Sequence, residues 1–538
     1  MKFDINSMLD PAVYNHEVGD IQLIQTHISW VILTGEFAYK IKKPVNFGFL
    51  DFSTLDKRRH NCEQELRLNR HMAAAIYLEV VAIGQADGKP TLSGDGEVLE
   101  YAVKMVQFPQ DCQLDHMLLA GTLRARHMEQ IGEMIARFHQ ATAIADPASD
   151  FGSAAAVFRP VEENFGQLRR NMPDGDYTGA LNALEQWAVD EFAKLRGLFE
   201  QRKRDGFVRA CHGDMHLRNL LLIQDQPVAF DCIEFNPELR WIDVMSDAAF
   251  LVMDLHDHRQ SALANRFLNT YLEITGDFSG LAVLPFYLCY RALVRAKVAA
   301  LRLAQNTLEA RENKACRKEF ETYLALAHGY TCRQRPTLII MQGASASGKS
   351  TISKRLLDRL GAIRIRSDVE RKRLFKLEPT RADAGEPVSG VYSPGATRKT
   401  YQKLEQLAGA IIEDGYSVIV DAAFLTREQR VDFESLARDL MVPYIIVEIR
   451  APAEVLRQRI VERERGVSDA DIRILEHQLQ NWEPLDNDEQ RWSIAVNSAE
   501  PVDIEGIIGT IQQLSARAIP GLSAESGNDT DQQTEPGK

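Results

Sequence analysis

The chain has 538 residues, which at roughly 150 residues per domain predicts about three or four compact units. Its 45% hydrophobic and 26% charged residues are typical of a globular protein, and a net charge of −13 argues against broad nucleic-acid binding, although a local basic groove stays open. Seven irregularly spaced cysteines, apolar runs far below the ~20 residues of a membrane span and the lack of a signal-peptide pattern exclude disulfide-rich, membrane and secreted classes, and they predict a soluble cytoplasmic protein.

The first hundred residues are predicted to form strands and one helix. Residues 28–43 contain two β-rich runs interrupted by Thr34 and Gly35, which indicates a hairpin. Apolar residues interleave with charges over residues 55–77, as in a helix, and residues 99–109 form another strand-like run. The start of the chain is therefore predicted to be mainly β-structure.

Helical periodicity dominates the next segment, from Leu118 to about Thr331, and a short hairpin pattern at residues 220–235 interrupts it. The cluster at residues 331–336 then breaks the pattern. Beyond it, helical segments separate short apolar runs, which lie at residues 337–342, 416–422 and 443–449. This alternation predicts an α/β domain with a buried parallel sheet.

The sequence CHGDMHLRN, residues 211–219, concentrates several chemically active side chains. His212 and His216 lie four apart, which on a helix would place both on one face and suit a metal cage. Gly213 breaks helical continuity between them, and no second cluster of ligands accompanies them in the sequence. Zinc binding is therefore the less favoured interpretation of this segment.

Phosphoryl transfer is the favoured interpretation of the same segment. It needs a carboxylate that takes the acceptor's proton, an amide that holds Mg²⁺, and a further aspartate that reaches the phosphates through metal. Asp214, Asn219 and Asp231 supply these groups in that order, and the predicted hairpin lies between the last two. The hairpin would bring both elements to one site.

This arrangement, HGD-x-x-x-x-N followed by an aspartate on a strand, resembles the aminoglycoside phosphotransferase family, which has a protein-kinase-like fold. The resemblance covers roughly residues 20–330. It implies that Asp214 is the catalytic base and that Asn219 and Asp231 are metal ligands.

The same resemblance implies supporting residues around the loop. His212 would be structural, and Asp247 would buttress the loop, with Asp243 as the alternative. The sequence has no glycine-rich loop, a strict form of which the antibiotic kinases of this family also lack, so the turn at residues 25–29 would have to cover the phosphates.

An ion pair of the upstream lobe is also implied, between a strand lysine that binds the α- and β-phosphates and a helix glutamate. Lys40 has the expected Ala-x-Lys setting, with Lys42 as an alternative on the same face of the strand. Glu65 is the expected partner, with Glu63 as its alternative. Surface lysines and helical glutamates are common, so all four residues stay under consideration.

The acceptor is expected to be a small hydroxylated molecule. In the helical stretch at residues 286–302, Arg291 and Arg295 share a stripe with Tyr287. If that stripe faces the cleft, an anionic acceptor such as a phosphorylated sugar or a nucleotide is favoured. The alternative is a solvated or ion-paired face.

The sequence GASASGKS, from Gly343 to Ser350, is a phosphate-binding loop pattern between an apolar strand and a helix. Glycines let backbone N–H groups wrap the phosphates, Lys349 reaches the terminal phosphates, and the Ser350 hydroxyl can ligate Mg²⁺. The predicted nucleotide-binding residues are Gly343, Ala344, Ser345, Ala346, Ser347, Gly348, Lys349, Ser350 and Thr351.

Two further positions give the loop its expected chemistry. Asp368 and Arg371 follow the next apolar run at a three-residue spacing, and residues 336–485 resemble the small P-loop kinases: polynucleotide 5′-kinase, chloramphenicol phosphotransferase, gluconate kinase and zeta toxin. The resemblance implies that Asp368 is the general base and that Arg371 holds the acceptor or a phosphate. A helix N-cap is the alternative role for Asp368.

Asp421 ends a hydrophobic strand, where a carboxylate can orient Mg²⁺ or its water, although a turn aspartate would fit there too. Arg459 and Arg463 lie four apart and resemble lid arginines that clamp the transferring phosphates. The neighbouring Glu462 and Glu464 allow the alternative of an ion-paired surface helix.

Together these patterns predict a multidomain protein, an α+β bilobal protein-kinase-like domain followed by an α/β P-loop NTPase domain of AAA type with a parallel sheet. The predicted boundaries are 1–108 for the kinase-like N-lobe, 109–333 for its helical C-lobe, 334–518 for the P-loop kinase domain and 519–538 for a disordered tail.

The predicted function is that of a two-module kinase that uses ATP and Mg²⁺ and transfers the γ-phosphoryl group to alcohol groups of small molecules. In one alternative, the P-loop domain is a nucleic-acid end kinase or a toxin-like kinase. In another, the protein is a non-catalytic ATP-binding regulator. Membrane and nucleic-acid partners are not expected.

Overall fold

A computed structural model describes most of the chain, namely residues 3–48, 50–86, 89–92, 96–173, 175–304, 309–377, 393–462 and 472–517. The chain divides into two compact units, one formed by Met1–Tyr271 with Ala282–Cys332 and the other by Leu272–Leu281 with Arg333–Lys538. The tail predicted to be disordered lies outside the described residues. Within the described ranges, no helix is both long and apolar enough to cross a bilayer.

The first unit opens with an antiparallel sheet and carries two small two-stranded sheets further along. Its strands are β1 (Gln22–Gln25), β2 (Ser29–Leu33), β3 (Phe37–Lys42), β4 (Tyr77–Ala86), β5 (Lys89–Thr91), β6 (Glu100–Val106), β7 (Val208–Ala210), β8 (Leu220–Ile223), β9 (Gln226–Ala229) and β10 (Trp241–Asp243). The main sheet has the order β1-β2-β3-β6-β4-β5, and β7 pairs with β10 and β8 with β9.

The helices of this part of the chain follow the main sheet, apart from the first one. They are α1 (Leu55–Ala73), α2 (Leu114–Leu119), α3 (Ala125–Ala141), α4 (Ala154–Asn171), α5 (Thr178–Arg204), α6 (Val244–Asp257), α7 (Ser261–Thr275), α8 (Leu284–Ala304) and α9 (Ala310–Gly329). A β-rich lobe followed by a helical lobe is the predicted α+β bilobal class, which is confirmed.

Both predicted hairpins form. Strands β2 and β3 pair antiparallel around Gly35, which has a φ of 100°. Strands β8 and β9 are joined by Gln224 and Asp225, both in the left-handed region. The predicted helix over residues 55–77 ends earlier, at Ala73, because Tyr77 already begins β4.

Side chains alternate along β3, so the two faces of the sheet pack against different cores. Tyr39 and Ile41 enter a core on one face, whereas Ala38 packs on the other face against Cys62 of α1. The side chains of Lys40 and Lys42 therefore lie on the α1 face. This places two lysines beside the buried side of a helix.

The second unit is an α/β domain. Its strands and helices are β11 (Leu338–Gln342), α10 (Lys349–Leu360), β12 (Ile363–Arg366), α11 (Ser367–Leu374), α12 (Pro394–Glu413), β13 (Val418–Asp421), α13 (Arg427–Asp439), β14 (Tyr444–Arg450), α14 (Ala453–Glu462), α15 (Ile472–Gln480), α16 (Asn487–Gln490), β15 (Ser493–Asn497) and α17 (Ile504–Arg517). The strands form one parallel sheet in the order β12-β13-β11-β14-β15, which confirms the predicted α/β class with a parallel sheet.

Strand β11 explains where the phosphate-binding pattern sits. All five of its residues are buried, because neighbouring strands and helices cover both faces of a parallel sheet. Ile339 and Met341 pack into a core that includes Ile352 of α10 and Ile508 of α17. The loop after β11 thus leaves a rigid strand and enters the N-terminus of α10.

Candidate functional sites

The CHGD segment lies between β7 and β8, and a buried carboxylate fixes its backbone. Asp247, in the first turn of α6, accepts hydrogen bonds from the backbone N–H groups of His212 (3.0 Å) and Gly213 (2.9 Å). Its Oδ2 also lies 3.1 Å from Nε2 of the buried His139. Asp247 therefore occupies the buttressing position expected from the sequence.

Asp243, the alternative for that role, is engaged elsewhere. It forms a buried bidentate pair with Arg202 at 2.7 and 2.8 Å, and it caps α6 by accepting from the backbone N–H of Met245. This aspartate stabilises the junction of β10 and α6 and makes no contact with the loop backbone that the structure records.

Both ring nitrogens of His212 form hydrogen bonds within the protein. Its Nε2 donates to the carbonyl of Phe230 (2.9 Å), and its Nδ1 accepts from the backbone N–H of Asp214 (3.3 Å). Both ring nitrogens are therefore engaged within the protein, which fits the structural role that the resemblance implies for His212 and does not favour the zinc-cage interpretation.

Asp214 is the carboxylate that the loop presents. Its Oδ2 accepts from Nδ2 of Asn219 at 3.0 Å and lies 3.3 Å from Nε2 of His216. Burial raises the pKa of Asp214, but the charge and hydrogen bond of His216 outweigh burial and hold that pKa below its usual range. The geometry brings Asp214 and Asn219 together, and it leaves the amide oxygen of Asn219 as the atom that can bind a metal.

The N-lobe lysine reaches the metal-ligand candidate on the other side of the cleft. Lys40 Nζ donates to Glu65 Oε1 at 2.8 Å and also forms an ion pair with Asp231. Glu63 instead pairs with Arg59 at the surface. Of the two glutamates considered, the structure places Glu65 beside the lysine.

Lys42 is also paired, to two carboxylates. Its Nζ lies 2.7 Å from Glu65 Oε2 and forms a second ion pair with Glu234. Burial raises the pKa of Glu65, yet the charges of Lys40 and Lys42 lower it to about 2. Sequence reasoning considered Lys42 only as an alternative to Lys40 and missed Glu234, although Glu234 follows Asp231 by only three residues.

Asp231 has an unusual backbone conformation. Its φ of 63° lies in the left-handed region, where few non-glycine residues are found. Its backbone N–H donates to the hydroxyl of Tyr77 (3.2 Å), and the next N–H, of Cys232, donates to Oδ1 of the buried Asn69 (2.9 Å). These two contacts from the N-lobe hold the segment in that conformation.

The groups around this cleft fit a nucleotide with Mg²⁺. Asn219 and Asp231 offer the oxygen atoms that Mg²⁺ prefers. Ser29 pairs with Lys42 in the strand register and so shares its face, and the buried Ser29 Oγ has no hydrogen-bond partner among the described residues. This hydroxyl lies beside the enclosed Lys42, so the fit to a nucleotide rests on Lys40 and on the oxygen atoms of Asn219 and Asp231.

The two arginines of the α8 stripe are engaged by groups within the helical lobe, which is closer to the ion-paired alternative than to a cleft-facing stripe. Arg291 is buried and donates to the carbonyl of Gly213 (3.2 Å) and to the carbonyl (3.1 Å) and hydroxyl of Ser246. Arg295 contacts the hydroxyl of Tyr323 and lies 3.7 Å from Glu319. Arg291 therefore holds the CHGD loop from inside the helical lobe, where its charge is buried.

The phosphate-binding loop of the second unit has the backbone geometry that its sequence predicts. Ala346 and Gly348 have φ values of 61° and 96°, so the chain curls before α10 begins at Lys349. Lys349 Nζ donates to the carbonyls of Gly343 (2.7 Å) and Ala344 (2.8 Å). The lysine thus lies along the loop whose N–H groups would face phosphates.

Close packing explains why the first residue of this loop, Gly343, is a glycine. A Cβ atom on Gly343 would lie 2.6 Å from Ser347 Oγ and 2.8 Å from the carbonyl of Ile449. The Ser347 Oγ is buried and has no hydrogen-bond partner in the described part of the chain. A close backbone approach together with an orphaned hydroxyl fits a bound phosphate.

Asp421 lies at the carboxyl end of β13, directly beside the loop. It is buried, and its Oδ2 accepts from the Ser353 hydroxyl of α10 at 3.1 Å. Ser350 lies one turn earlier on α10 and lines the same cleft as Asp421. The two side chains offer oxygen atoms of the type that Mg²⁺ binds.

Asp368 and Arg371 line the same cleft, which has a volume of about 1520 Å³. The Arg371 guanidinium lies 3.4 Å from Asp368 Oδ1. The N-cap of α11 is Arg366, and Asp368 sits in the first helical turn. The N-cap alternative for Asp368 is therefore wrong, and its carboxylate faces the cleft.

Arg459 reaches the loop from α14. It donates to the carbonyl of Ala346 (3.4 Å) and to the hydroxyl (3.0 Å) and carbonyl (2.6 Å) of Ser498. Its predicted companion, Arg463, lies outside the described residues.

Comparison with known proteins agrees with the two domains. The model of the "Phosphotransferase enzyme family" matches residues 53–284, and the model of an "AAA domain" matches residues 338–485. Together with the two folds, these matches define a phosphotransferase-type protein with a kinase-like domain ahead of a P-loop domain. Both resemblances seen in the sequence are thereby confirmed.

An uncharacterized protein of Mycobacterium tuberculosis strain H37Rv is 32% identical over 463 residues, which cover 85% of this chain and 90% of the relative. The chain belongs to the same protein family as this relative.

Among solved structures, a sugar kinase from Janibacter sp. HTCC2649 is 22% identical and covers 34% of this chain and 98% of its own, with a TM-score of 0.27. Amicoumacin kinase hAmiN, solved with AMP-PNP, Ca²⁺ and amicoumacin, is 15% identical and covers 60% of this chain and 94% of its own, with a TM-score of 0.39.

Proposed function

We propose that the protein is a two-site, ATP-dependent kinase that transfers the γ-phosphoryl group of ATP to hydroxyl groups of small molecules. The observation that carries this proposal is the pairing of Lys40 with both Glu65 and Asp231, opposite a loop on which Asp214 contacts Asn219. A phosphate-binding lysine, a metal-binding carboxylate and a base are the parts that phosphoryl transfer requires. The P-loop unit offers an independent set of the same parts.

In the kinase-like site, Asp214 would orient the acceptor hydroxyl and accept its proton as the hydroxyl oxygen attacks the γ-phosphorus. The bond between the γ-phosphorus and the bridging oxygen of ADP breaks in the same step. Lys40 would neutralise charge on the α- and β-phosphates. Mg²⁺, when bound, would neutralise phosphate charge, and Asn219 and Asp231 would hold it.

In the P-loop site, Lys349 and the loop N–H groups would bind the phosphates. Asp368 would accept the proton of the second acceptor hydroxyl, while Arg371 and Arg459 would stabilise the charge of the transferring group. The Ser350 hydroxyl and Asp421 would hold Mg²⁺ directly or through water.

We propose a chemical class of acceptor for each site. Small hydroxylated molecules fit both sites, and an anionic group is now better placed in the P-loop cleft, where Arg371 and Arg398 are part of the lining. The kinase-like site offers less support for an anionic acceptor because Arg291 is buried. We also propose a cytoplasmic location, where ATP and Mg²⁺ are both available, and no membrane or nucleic-acid partner.

The test is ATP turnover against a panel of hydroxylated metabolites, with wild type compared with Asp214→Asn, Asp368→Asn and Lys349→Ala. We expect Asp214→Asn to abolish phosphorylation of one group of substrates, and Asp368→Asn and Lys349→Ala to abolish another. The two-kinase proposal fails if both aspartate variants phosphorylate every accepted substrate as well as wild type does.

Two other outcomes would select the competing functions. Phosphorylation of oligonucleotide ends, lost in Asp368→Asn, would favour a nucleic-acid kinase for the P-loop unit. Binding of ATP without turnover on any substrate would favour a nucleotide-binding regulator.

A further inference from the structure

The kinase-like site contains a second buried ion pair beside the one that phosphoryl transfer requires. Glu65 uses its two carboxylate oxygens separately, with Oε1 on Lys40 at 2.8 Å and Oε2 on Lys42 at 2.7 Å. Lys42 then continues to Glu234. One glutamate of α1 is thus shared by two lysines of one strand face, and each lysine reaches a different carboxylate of the segment 231–234.

The two lysines differ in access to the cleft. Lys42 is 1% exposed and its Nζ lies 4.9 Å from the ring centroid of the buried Phe52, so it is enclosed on all sides by protein. The carboxylate partner of Lys40, Asp231, has 41% of its side chain exposed. A ligand can therefore reach Asp231, whereas Lys42 and Glu234 act only through other residues.

Because Glu234 is close to Asp231 in the chain, its ion pair with Lys42 also restrains Asp231. Glu234 lies three positions after Asp231, and both intervening residues are held: Cys232 N–H donates to Asn69 (2.9 Å) and Ile233 N–H donates to the carbonyl of His212 (3.1 Å). The pair between Lys42 and Glu234 thus completes a set of contacts on the three residues that follow Asp231, whose backbone is strained. Loss of that pair would free one end of the segment that carries Asp231.

We propose that Lys42 and Glu234 are positioning residues of the kinase-like site, because their ion pair fixes Glu65 and the Asp231 segment together and so holds Asp231 where it can bind Mg²⁺. This inference rests on the proposed phosphotransferase function. It adds to that function a second lysine–glutamate pair whose role is to place the metal ligand, while Lys40 binds phosphate.

The experiment measures binding of AMP-PNP by calorimetry, with Mg²⁺ and in excess EDTA, to the full chain. All proteins carry Lys349→Ala, so that nucleotide binding reports the kinase-like site. Lys42→Met and Glu234→Gln test the pair, Lys40→Met serves as the reference for direct phosphate contact, and Glu63→Gln is the matched surface control on α1.

We expect Lys42→Met and Glu234→Gln each to weaken binding of Mg²⁺–AMP-PNP by about 10- to 100-fold, the range typical of residues that orient a metal ligand. Binding in EDTA should change by no more than about twofold, because the phosphate contact of Lys40 is retained. The double variant should lose no more than either single variant, since the two residues act as one pair. Glu234→Asp should recover part of the loss, and Glu63→Gln should match its parent.

Two outcomes would overturn the positioning role alone. In the first, Glu234→Gln, which keeps the shape of the side chain, binds Mg²⁺–AMP-PNP as tightly as its parent while Lys40→Met does not. In the second, both variants lose equal affinity with and without Mg²⁺, as general loosening would produce. If the parent itself binds no AMP-PNP, the proposed function of the site falls, and the positioning role falls with it.

Discussion

Replacement of Asp247 by asparagine should release the backbone of the CHGD loop. The Asp247 carboxylate accepts from two loop N–H groups, those of His212 and Gly213, and pairs with His139. Asparagine has one oxygen where aspartate has two, so at least one of these donors would face another donor. The variant keeps the size of the side chain and removes only its charge and one acceptor.

The expected magnitude follows from these contacts. A hydrogen bond to a charged group contributes about 1.5–3 kcal/mol, and a buried donor left unsatisfied costs about 1–3 kcal/mol. We therefore expect local opening of the loop to become about 3–4 kcal/mol easier. At about tenfold per 1.4 kcal/mol, the loop N–H groups should exchange roughly 100- to 1,000-fold faster.

Hydrogen exchange of overlapping peptides across residues 208–219 measures this effect directly, because protection of these amides reports local opening. Asp225→Asn is the matched control, since Asp225 lies in the exposed turn between β8 and β9 and contacts no loop amide that the structure records. Wild-type exchange rates in Asp247→Asn would refute the assignment of Asp247 as the residue that holds the loop.

Three further predictions concern charge, packing and metal orientation. The folded-state pKa of Glu65 is lowered from 4.5 to about 2, so its stabilisation is present above pH 4.5 and lost as the pH falls towards 2. Thermal melts of wild type should therefore lose more stability over this pH range than melts of Glu65→Gln, and equal losses would contradict this prediction. Gly343→Ala introduces a Cβ only 2.6 Å from the hydroxyl oxygen of Ser347 in the same loop, a clash that should cost about 1–3 kcal/mol. Calorimetry should therefore show that this variant binds ADP about 5- to 150-fold more weakly than wild type. Gly179→Ala is the control and should bind ADP normally, because its Cβ would meet no atom within 4 Å. Ser353→Ala removes the hydroxyl that donates to Asp421. The Mg²⁺ concentration for half-maximal turnover at the P-loop site should then rise about tenfold, with little change in melting temperature. An unchanged Mg²⁺ dependence would contradict this prediction.

Local spacing accounts for the parts of the protein that could be predicted from sequence. The P-loop depends on consecutive residues between a strand and a helix, and Asp214 and Asn219 lie on one short loop, so their proximity follows from chain connectivity. The parallel sheet was predictable because β11 and β14 each contain a run of four consecutive apolar residues, Leu338 to Met341 and Tyr444 to Val447. β15 escaped notice because it is short and only one of its five residues, Val496, is buried.

Residues that depend on packing between distant segments were beyond the reach of sequence patterns. Lys42 and Glu234 lie 192 positions apart, and neither has a distinctive neighbourhood of its own. The periodicity of α8 predicted that Arg291 and Arg295 share a stripe, but periodicity does not say which side of a helix is buried. Arg291 is tolerated inside because it finds the carbonyl of Gly213, a partner that only the folded loop provides.

The left-handed backbone of Asp231 governs how substitutions at this position should be interpreted. Alanine would remove the carboxylate and also strain a φ of 63°, so a loss of activity in Asp231→Ala would mix two causes. Asparagine tolerates the left-handed region and keeps the side-chain shape, whereas glycine relieves the backbone and removes the side chain altogether. A comparison of Asp231→Asn with Asp231→Gly therefore separates the electrostatic contribution of this residue from its conformational one.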